Sequence, residues 1–241
     1  MILNKYLKQS RSPFYSFIFI LPLFIIYELG ISMISSDDLP IIRNGADVLL
    51  RRILATVGIS GIYGMALMLL LGVVIAYFVN KGKFKELKIR SNYFLVMIFE
   101  SIIWSMLLFA ILSKGQLLLA KGIAKLLMQQ IVLSIGSGIF EEFVFRVVLV
   151  SLLALIVGLF VKNQYWYKML ISIVIAAVIF SAFHFIGEYA DAPITSLFIL
   201  RFIAGIVLGY IYVFRGFGIA AYSHSFYNLI VFTQIIPVSK L

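Results

Sequence analysis

Three polar motifs in the second half of the chain carry side chains that can do acid–base chemistry. Glu141, Glu142 and Arg146 stand in one apolar segment. His184 and His224, the two histidines among 241 residues, stand in two others. Ionisable groups inside long apolar segments are costly to bury, so each is a functional-site candidate. Carboxylates and imidazoles can accept and return protons. The three motifs together predict a catalytic centre inside a membrane.

The glutamate pair predicts two different roles for adjacent carboxylates. Glu142 and Arg146 are four residues apart, so they share a helix face and can form a salt bridge. Glu141 points about 100° away from that face and has no partner on its own helix. It must accept a hydrogen bond from a neighbouring helix or take up a proton, and such an acid suits a general base that activates water. The alternative is that both glutamates only hold helices together.

The histidine motifs each place a second side chain one helical turn away. Phe180 precedes His184 by four residues, and Asn228 follows His224 by four. Phe180 is predicted to hold the His184 ring. His224 and Asn228 can direct two polar groups at one point, as an oxyanion site requires. Alternatively, each histidine has only a structural role, packed and hydrogen-bonded within the bundle, and takes no part in catalysis.

The composition predicts an all-α, polytopic bundle of transmembrane helices. The chain is 63% hydrophobic and 12% charged, and its mean hydropathy is +1.11. A span needs about 20 apolar residues. The run from 46 to 54 is predicted to be amphipathic and interfacial, and the run from 116 to 129 is either interfacial or an eighth span. One domain is expected over 1–241, with the motifs in a core of about 100–235. The seven predicted spans are 14–34, 58–79, 93–113, 129–160, 168–187, 196–214 and 217–237.

The net charge of +10 indicates contact with membrane lipids and no nucleic-acid partner. Lys and Arg concentrate between the apolar segments, where they set topology and meet anionic headgroups. With seven spans, eleven of them fall on the side of the N-terminal tail and seven on the other side. This excess predicts a cytoplasmic N-terminus. There is no cysteine, which excludes a thiolate nucleophile and thiolate metal ligands.

Other polar residues in or near the spans have simpler interpretations. Glu100 is a buried acid that pairs with Arg201 or with another helix. Arg201 either reaches the interface or meets a substrate carboxylate. Asp191 and Glu188 are expected on a solvated rim. The stretch Gly136-Ser137-Gly138 is expected to let helices approach closely beside the glutamates rather than to supply a serine nucleophile.

In their order along the chain, the three motifs resemble those of the CPBP family, the CAAX-protease and bacteriocin-processing proteins, also called Abi. That pattern is Glu-Glu-x-x-x-Arg, then Phe-x-x-x-His, then His-x-x-x-Asn, on separate membrane helices. This chain has the first at 141–146, the second at 180–184 and the third at 224–228. The resemblance covers about residues 100–235.

The resemblance implies an intramembrane endopeptidase and a role for each motif residue. Glu141 would be the general base, acting on a water held with His184, and His224 and Asn228 would stabilise the oxyanion. Glu142, Arg146 and Phe180 would support them.

The resemblance is compatible with two catalytic types, one without a metal ion and one with zinc. One is a metal-free glutamate protease, which we favour because an asparagine is a poor zinc ligand. The other is a zinc enzyme that uses Glu141, His184 and His224 as ligands.

The expected partner is a peptide or protein substrate, lipid-modified or membrane-anchored, in what is expected to be a bacterial cytoplasmic membrane. Two other functions stay open at this point. One is a non-catalytic scaffold or regulator of the same fold, and the other is a transporter with a buried acid–imidazole relay.

Overall fold

A computed structural model describes residues 2–34, 44–59, 69–70, 72–78, 89–112, 127–161, 164–187 and 190–235. In these ranges the regular structure is helical, which confirms the all-α prediction. The helices bounded within them are α1 (Ile2–Ser10), α2 (Pro13–Ser32), α3 (Gly45–Thr56), α4 (Ser91–Leu112), α5 (Leu127–Phe160), α6 (Tyr165–Phe183), α7 (Thr195–Arg215) and α8 (Phe217–Ile235).

Five of these helices, α2, α4, α5, α6 and α7, are long and apolar enough to cross a membrane. They correspond to five of the seven predicted spans, so the protein is an integral membrane protein. The predicted span 58–79 lies partly outside the described residues, and most of the run 116–129 does too. A total of seven or eight spans is therefore still a prediction.

Helix α8 is the predicted seventh span, and the structure places it at the centre of the bundle. It is not among the five spanning candidates. It contacts α2, α4, α5 and α7, and small side chains at Ala220, Ala221, Ser223 and Ser225 are fully buried. A helix enclosed by others meets protein instead of lipid, so it can carry more polar residues than a peripheral helix.

Helix α5 departs from regular α geometry where it carries the glutamates. Two wider, π-helical stretches, Ser137–Glu141 and Phe143–Val150, occupy its middle. Such turns are rare and often occur at functional sites. With 34 residues the helix is longer than the hydrocarbon core requires, as its predicted length suggested.

Gly138 sets the distance between α5 and α8. A Cβ atom built there would lie 2.5 Å from the Ala221 carbonyl oxygen and 2.8 Å from the Ser225 backbone nitrogen. This confirms that glycines beside the glutamates permit close helix approach.

A second buried polar cluster joins α1, α4 and α7. Glu100 pairs with Arg215, which also donates to Ser10 Oγ at 2.9 Å, and the Tyr6 hydroxyl donates to Glu100 at 2.6 Å. Burial and the Glu100 carboxylate raise the pKa of Tyr6, so its hydroxyl remains a donor. The predicted span 196–214 left Arg215 just outside its end, and Glu100 was predicted to pair with Arg201 or with another helix. In the structure Arg215 is the buried last residue of α7 and the partner of Glu100.

Helix α3 is tied to the end of α2 by buried polar contacts. The Tyr27 hydroxyl donates to Asp47 at 2.8 Å, and Arg51 bridges Asp47 at 2.6 Å and Glu28 at 3.0 Å. Burial alone would lower the pKa of Arg51, but the attraction of Asp47 and Glu28 raises it. The predicted amphipathic helix therefore exists, but its polar face is turned into the protein.

Candidate active site

Glu141 lies where α5, α6 and α8 meet, between the two imidazole rings. Its Oε1 is 3.8 Å from His184 Nε2, and its Oε2 is 3.9 Å from His224 Nε2. Both separations are too long for a direct hydrogen bond and suit a water between the groups. Glu141 as a whole is 6% exposed. The structure thus brings together an acid and two imidazoles, of which the outermost, Glu141 and His224, are 83 residues apart in the sequence.

The tautomer of His184 is fixed by its own helix end. Helix α6 ends at Phe183, so His184 is its C-cap rather than a residue within the span predicted at 168–187. Its Nδ1 lies 2.9 Å from the Phe180 carbonyl oxygen, which can only accept, so Nδ1 carries the proton. Nε2 of a neutral His184 therefore presents a lone pair toward Glu141.

Phe180 contacts several members of the site, as its predicted role requires. Its ring meets the His184 ring edge-on at 4.9 Å between centroids, and the His224 ring at 6.5 Å. The Arg146 guanidinium lies 4.5 Å from the Phe180 centroid, within the range of a cation–π contact. Phe180 thus restricts both rings and covers a buried cation.

Glu142 does more than the sequence indicated. The predicted pair with Arg146 is present, with Nε 3.1 Å from Glu142 Oε2. Glu142 Oε1 also accepts a hydrogen bond from His224 Nδ1 at 2.8 Å. Glu142 is fully buried and Arg146 is 2% exposed. A carboxylate acceptor on Nδ1 orients the ring, so Glu142 acts on the site through its contact with His224.

Asn228 follows His224 by one turn of α8 and is half-buried. Both residues lie within α8, where a spacing of four residues places side chains on one face. Arg201 does not reach Glu100. It pairs instead with Asp191, which was expected on a solvated rim and is part-buried in this pair. Glu188 lies outside the described residues.

Asn44 is the site residue that sequence analysis missed. It precedes α3, is 8% exposed, and donates from its side-chain amide to Glu141 Oε1 and to Ser137 Oγ at 3.2 Å. Glu141 therefore has the hydrogen bond from another segment that its position demanded. An asparagine just before an amphipathic run is a helix-start signal, but nothing in the sequence reveals what its amide would meet.

One carboxylate and two imidazoles are chemically suitable zinc ligands, but the distances between them are long for a zinc site. Ligands around a tetrahedral zinc lie about 3.3 Å from one another, given bonds of about 2.0 Å. Each imidazole here is farther than that from Glu141, whose Oε1 is already bonded by Asn44. Over the described ranges, no group of three or more His, Cys, Asp or Glu side chains is arranged to hold a metal ion. The separations as placed are wider than those of an ideal tetrahedral zinc site.

Comparison with known families bears on the segment that carries the motifs. Residues 123–230 match the model of the Rce1-like family, described as type II CAAX prenyl endopeptidase Rce1-like. The matched segment contains all three motifs and α5 to α8 up to Ile230, and it confirms the resemblance predicted from them. A search of curated proteins and a search of solved structures each gave no match. Asn44, α1, α2, α3 and α4 precede the matched segment.

Proposed function

We propose that the protein is an intramembrane endopeptidase that hydrolyses a peptide bond with a water activated by Glu141. The observation that carries the proposal is the placement of Glu141 between His184 Nε2 and His224 Nε2, at 3.8 and 3.9 Å. The match of residues 123–230 to a family of CAAX prenyl endopeptidases supports a peptide or protein substrate in or at the membrane.

The first step is proton transfer from water to Glu141. A water between Glu141 and His184 donates one hydrogen to each, because the carboxylate and the unprotonated Nε2 are both acceptors. Glu141 takes the proton, and the oxygen attacks the substrate carbonyl carbon. A positioned general base of this kind contributes about 10²- to 10⁴-fold to rate.

The second step needs donors for the oxyanion. His224 Nδ1 donates to Glu142, so Nε2 can donate only when the ring is an imidazolium. The proposal therefore takes His224 as an imidazolium in this step, and the charges of Glu141, Glu142, Arg146 and His224 then sum to zero. His224 Nε2–H and the Asn228 amide then stabilise the oxyanion.

The third step releases the products. Glu141 returns its proton to the leaving amine nitrogen, the C–N bond breaks, and a carboxylic acid and an amine result. Since the same carboxylate accepts and returns the proton, the enzyme ends in its starting state. The proposed role of Phe180 is to keep both rings in place during the cycle.

The test is cleavage of membrane-anchored peptides by the purified protein in proteoliposomes. The panel contains a prenylated CAAX peptide, the same peptide without the prenyl group, and a peptide with a transmembrane anchor. We expect Glu141→Gln to lower kcat at least 100-fold on whichever peptide is cut, while the protein remains folded. Glu28→Gln is the matched control, because Glu28 pairs with Arg51, which keeps Asp47 as a second counter-ion, so cleavage should be kept.

The other outcomes separate the remaining functions. Unchanged cleavage by Glu141→Gln would refute the mechanism. No Glu141-dependent product, with pH-dependent flux through the vesicles, would favour the transporter. Neither product nor flux would favour the scaffold. Loss of activity with a chelator, restored by zinc, would overturn the metal-free version.

A further inference from the structure

The side-chain amide of Asn44 has a fixed orientation. Its Oδ1 accepts from the Ala46 backbone N–H at 2.7 Å, which caps α3. Because that bond assigns the oxygen, Nδ2 must face the opposite way. It faces α5, where Ser137 Oγ and Glu141 Oε1 accept its two hydrogens. Ser137 Oγ in turn donates to the Leu133 carbonyl at 2.9 Å, so it is free to accept.

The helix that follows Asn44, α3, is itself held in place by defined contacts. Helix α3 is held by Tyr27, Asp47 and Arg51 in the buried contacts described above. At its first residue, a Cβ built on Gly45 would lie 3.1 Å from the Phe183 ring, the residue before His184. Helix α3 therefore begins against the same corner of the bundle in which Glu141 and His184 meet.

We infer that Asn44 is a positioning residue for Glu141, supplied by a segment outside the family match. Its amide holds Oε1 in place, and this fixes the carboxylate plane, with Oε1 toward His184 and Oε2 toward His224. The inference rests on the proposed function of Glu141.

Two substitutions separate this role from capping of α3. Serine and aspartate cap helices about as well as asparagine, so Asn44→Ser and Asn44→Asp should leave α3 in place. Serine is too short to reach Glu141, and aspartate turns an acceptor toward it. Asn44 does not contact substrate in the proposed mechanism. We therefore expect kcat to fall about 10- to 100-fold in Asn44→Ser and further in Asn44→Asp, with KM within about twofold of wild type.

The contact itself is tested without cleavage. Unfolding by SDS is measured for Asn44→Ser, Glu141→Leu and the double variant. A hydrogen bond to a charged group predicts that the effects of the single variants on the unfolding constant are non-additive by at least about tenfold.

The two measurements divide the outcomes. Coupling together with a lowered kcat and an unchanged KM supports the inference. Additive effects, or coupling with wild-type kcat, overturn it even if Glu141→Gln is inactive and the proposed function stands. If no peptide is cut in a Glu141-dependent way, the proposed function fails and Asn44 has no reaction to serve, although the coupling would still show the contact.

Discussion

Replacing Glu142 with leucine should destabilise the protein more than almost any other single change in the site. Glu142 is fully buried and pairs with Arg146, which is 2% exposed. In the described part of the chain, Arg146 Nη1 and Nη2 have no hydrogen-bond partner, so the guanidinium depends on Glu142 and on the Phe180 ring. Leaving a buried cation without its counter-ion costs about 3–5 kcal/mol, or about two to four orders of magnitude in the unfolding constant.

The double variant Glu142→Leu, Arg146→Met should recover most of that loss. An apolar pair removes the uncompensated cation, and such replacements are often neutral or stabilising. The measurement is SDS unfolding in mixed micelles, followed by the fluorescence of the two tryptophans. Additive losses in the double variant, or a loss below about 1 kcal/mol for Glu142→Leu, would refute the account of the pair.

Activity in the same variants isolates the second contact of Glu142. The stable double variant still lacks the acceptor for His224 Nδ1, so the imidazolium proposed to donate to the oxyanion loses its counter-ion. We expect kcat to stay at least about tenfold below wild type after stability has returned. Full activity in the double variant would show that Glu142 is structural only.

Two further predictions concern packing and topology. Gly138→Ala should cost about 1–3 kcal/mol in the SDS assay, because its Cβ would meet the Ala221 carbonyl oxygen at 2.5 Å; the matched change Gly158→Ala, facing only the flexible Lys168 side chain at 3.3 Å, should be neutral or stabilising. The chain has no cysteine, so single-cysteine variants report topology cleanly. Lys8→Cys and Arg90→Cys should react with an impermeant maleimide from the cytoplasmic face, and Arg52→Cys from the other. Labelling of all three from one face would refute the predicted topology.

The sequence predicted those parts of the site that depend on local helix geometry. The Glu142–Arg146 pair and the Phe180–His184 contact follow from a spacing of four residues, which holds wherever a helix forms. The hydrogen bond between His224 and Glu142 depends on how α8 packs against α5. That packing is set by Gly138 and by other tertiary contacts, which cannot be predicted from the sequence of either helix alone. A motif shows which residues take part, and the helix packing decides which atoms meet.

The prediction was weakest where partners come from distant segments. Arg215 lay just outside the predicted span 196–214, yet α4 and α1 supply the groups that bury it. The sequence around Asn44 indicates only the start of a helix. The hydrogen bonds from its amide nitrogen to Ser137 and Glu141 form only in the tertiary structure. The predicted orientation and the number of spans depend on loops partly outside the described residues.

Where α3 sits has a consequence for the direction from which a substrate arrives. Helix α2 is a candidate span that separates α1 from α3, and His184 follows the end of α6 beside the start of α3. Access to the proposed catalytic water is thus expected from the membrane face opposite the N-terminal tail. A cytoplasmic tail would direct the enzyme at peptides presented from outside the cell, whereas an external tail would open it to lipidated C-termini finished in the cytoplasm. The labelling pattern of Lys8 and Arg52 therefore selects the class of substrate worth synthesising first.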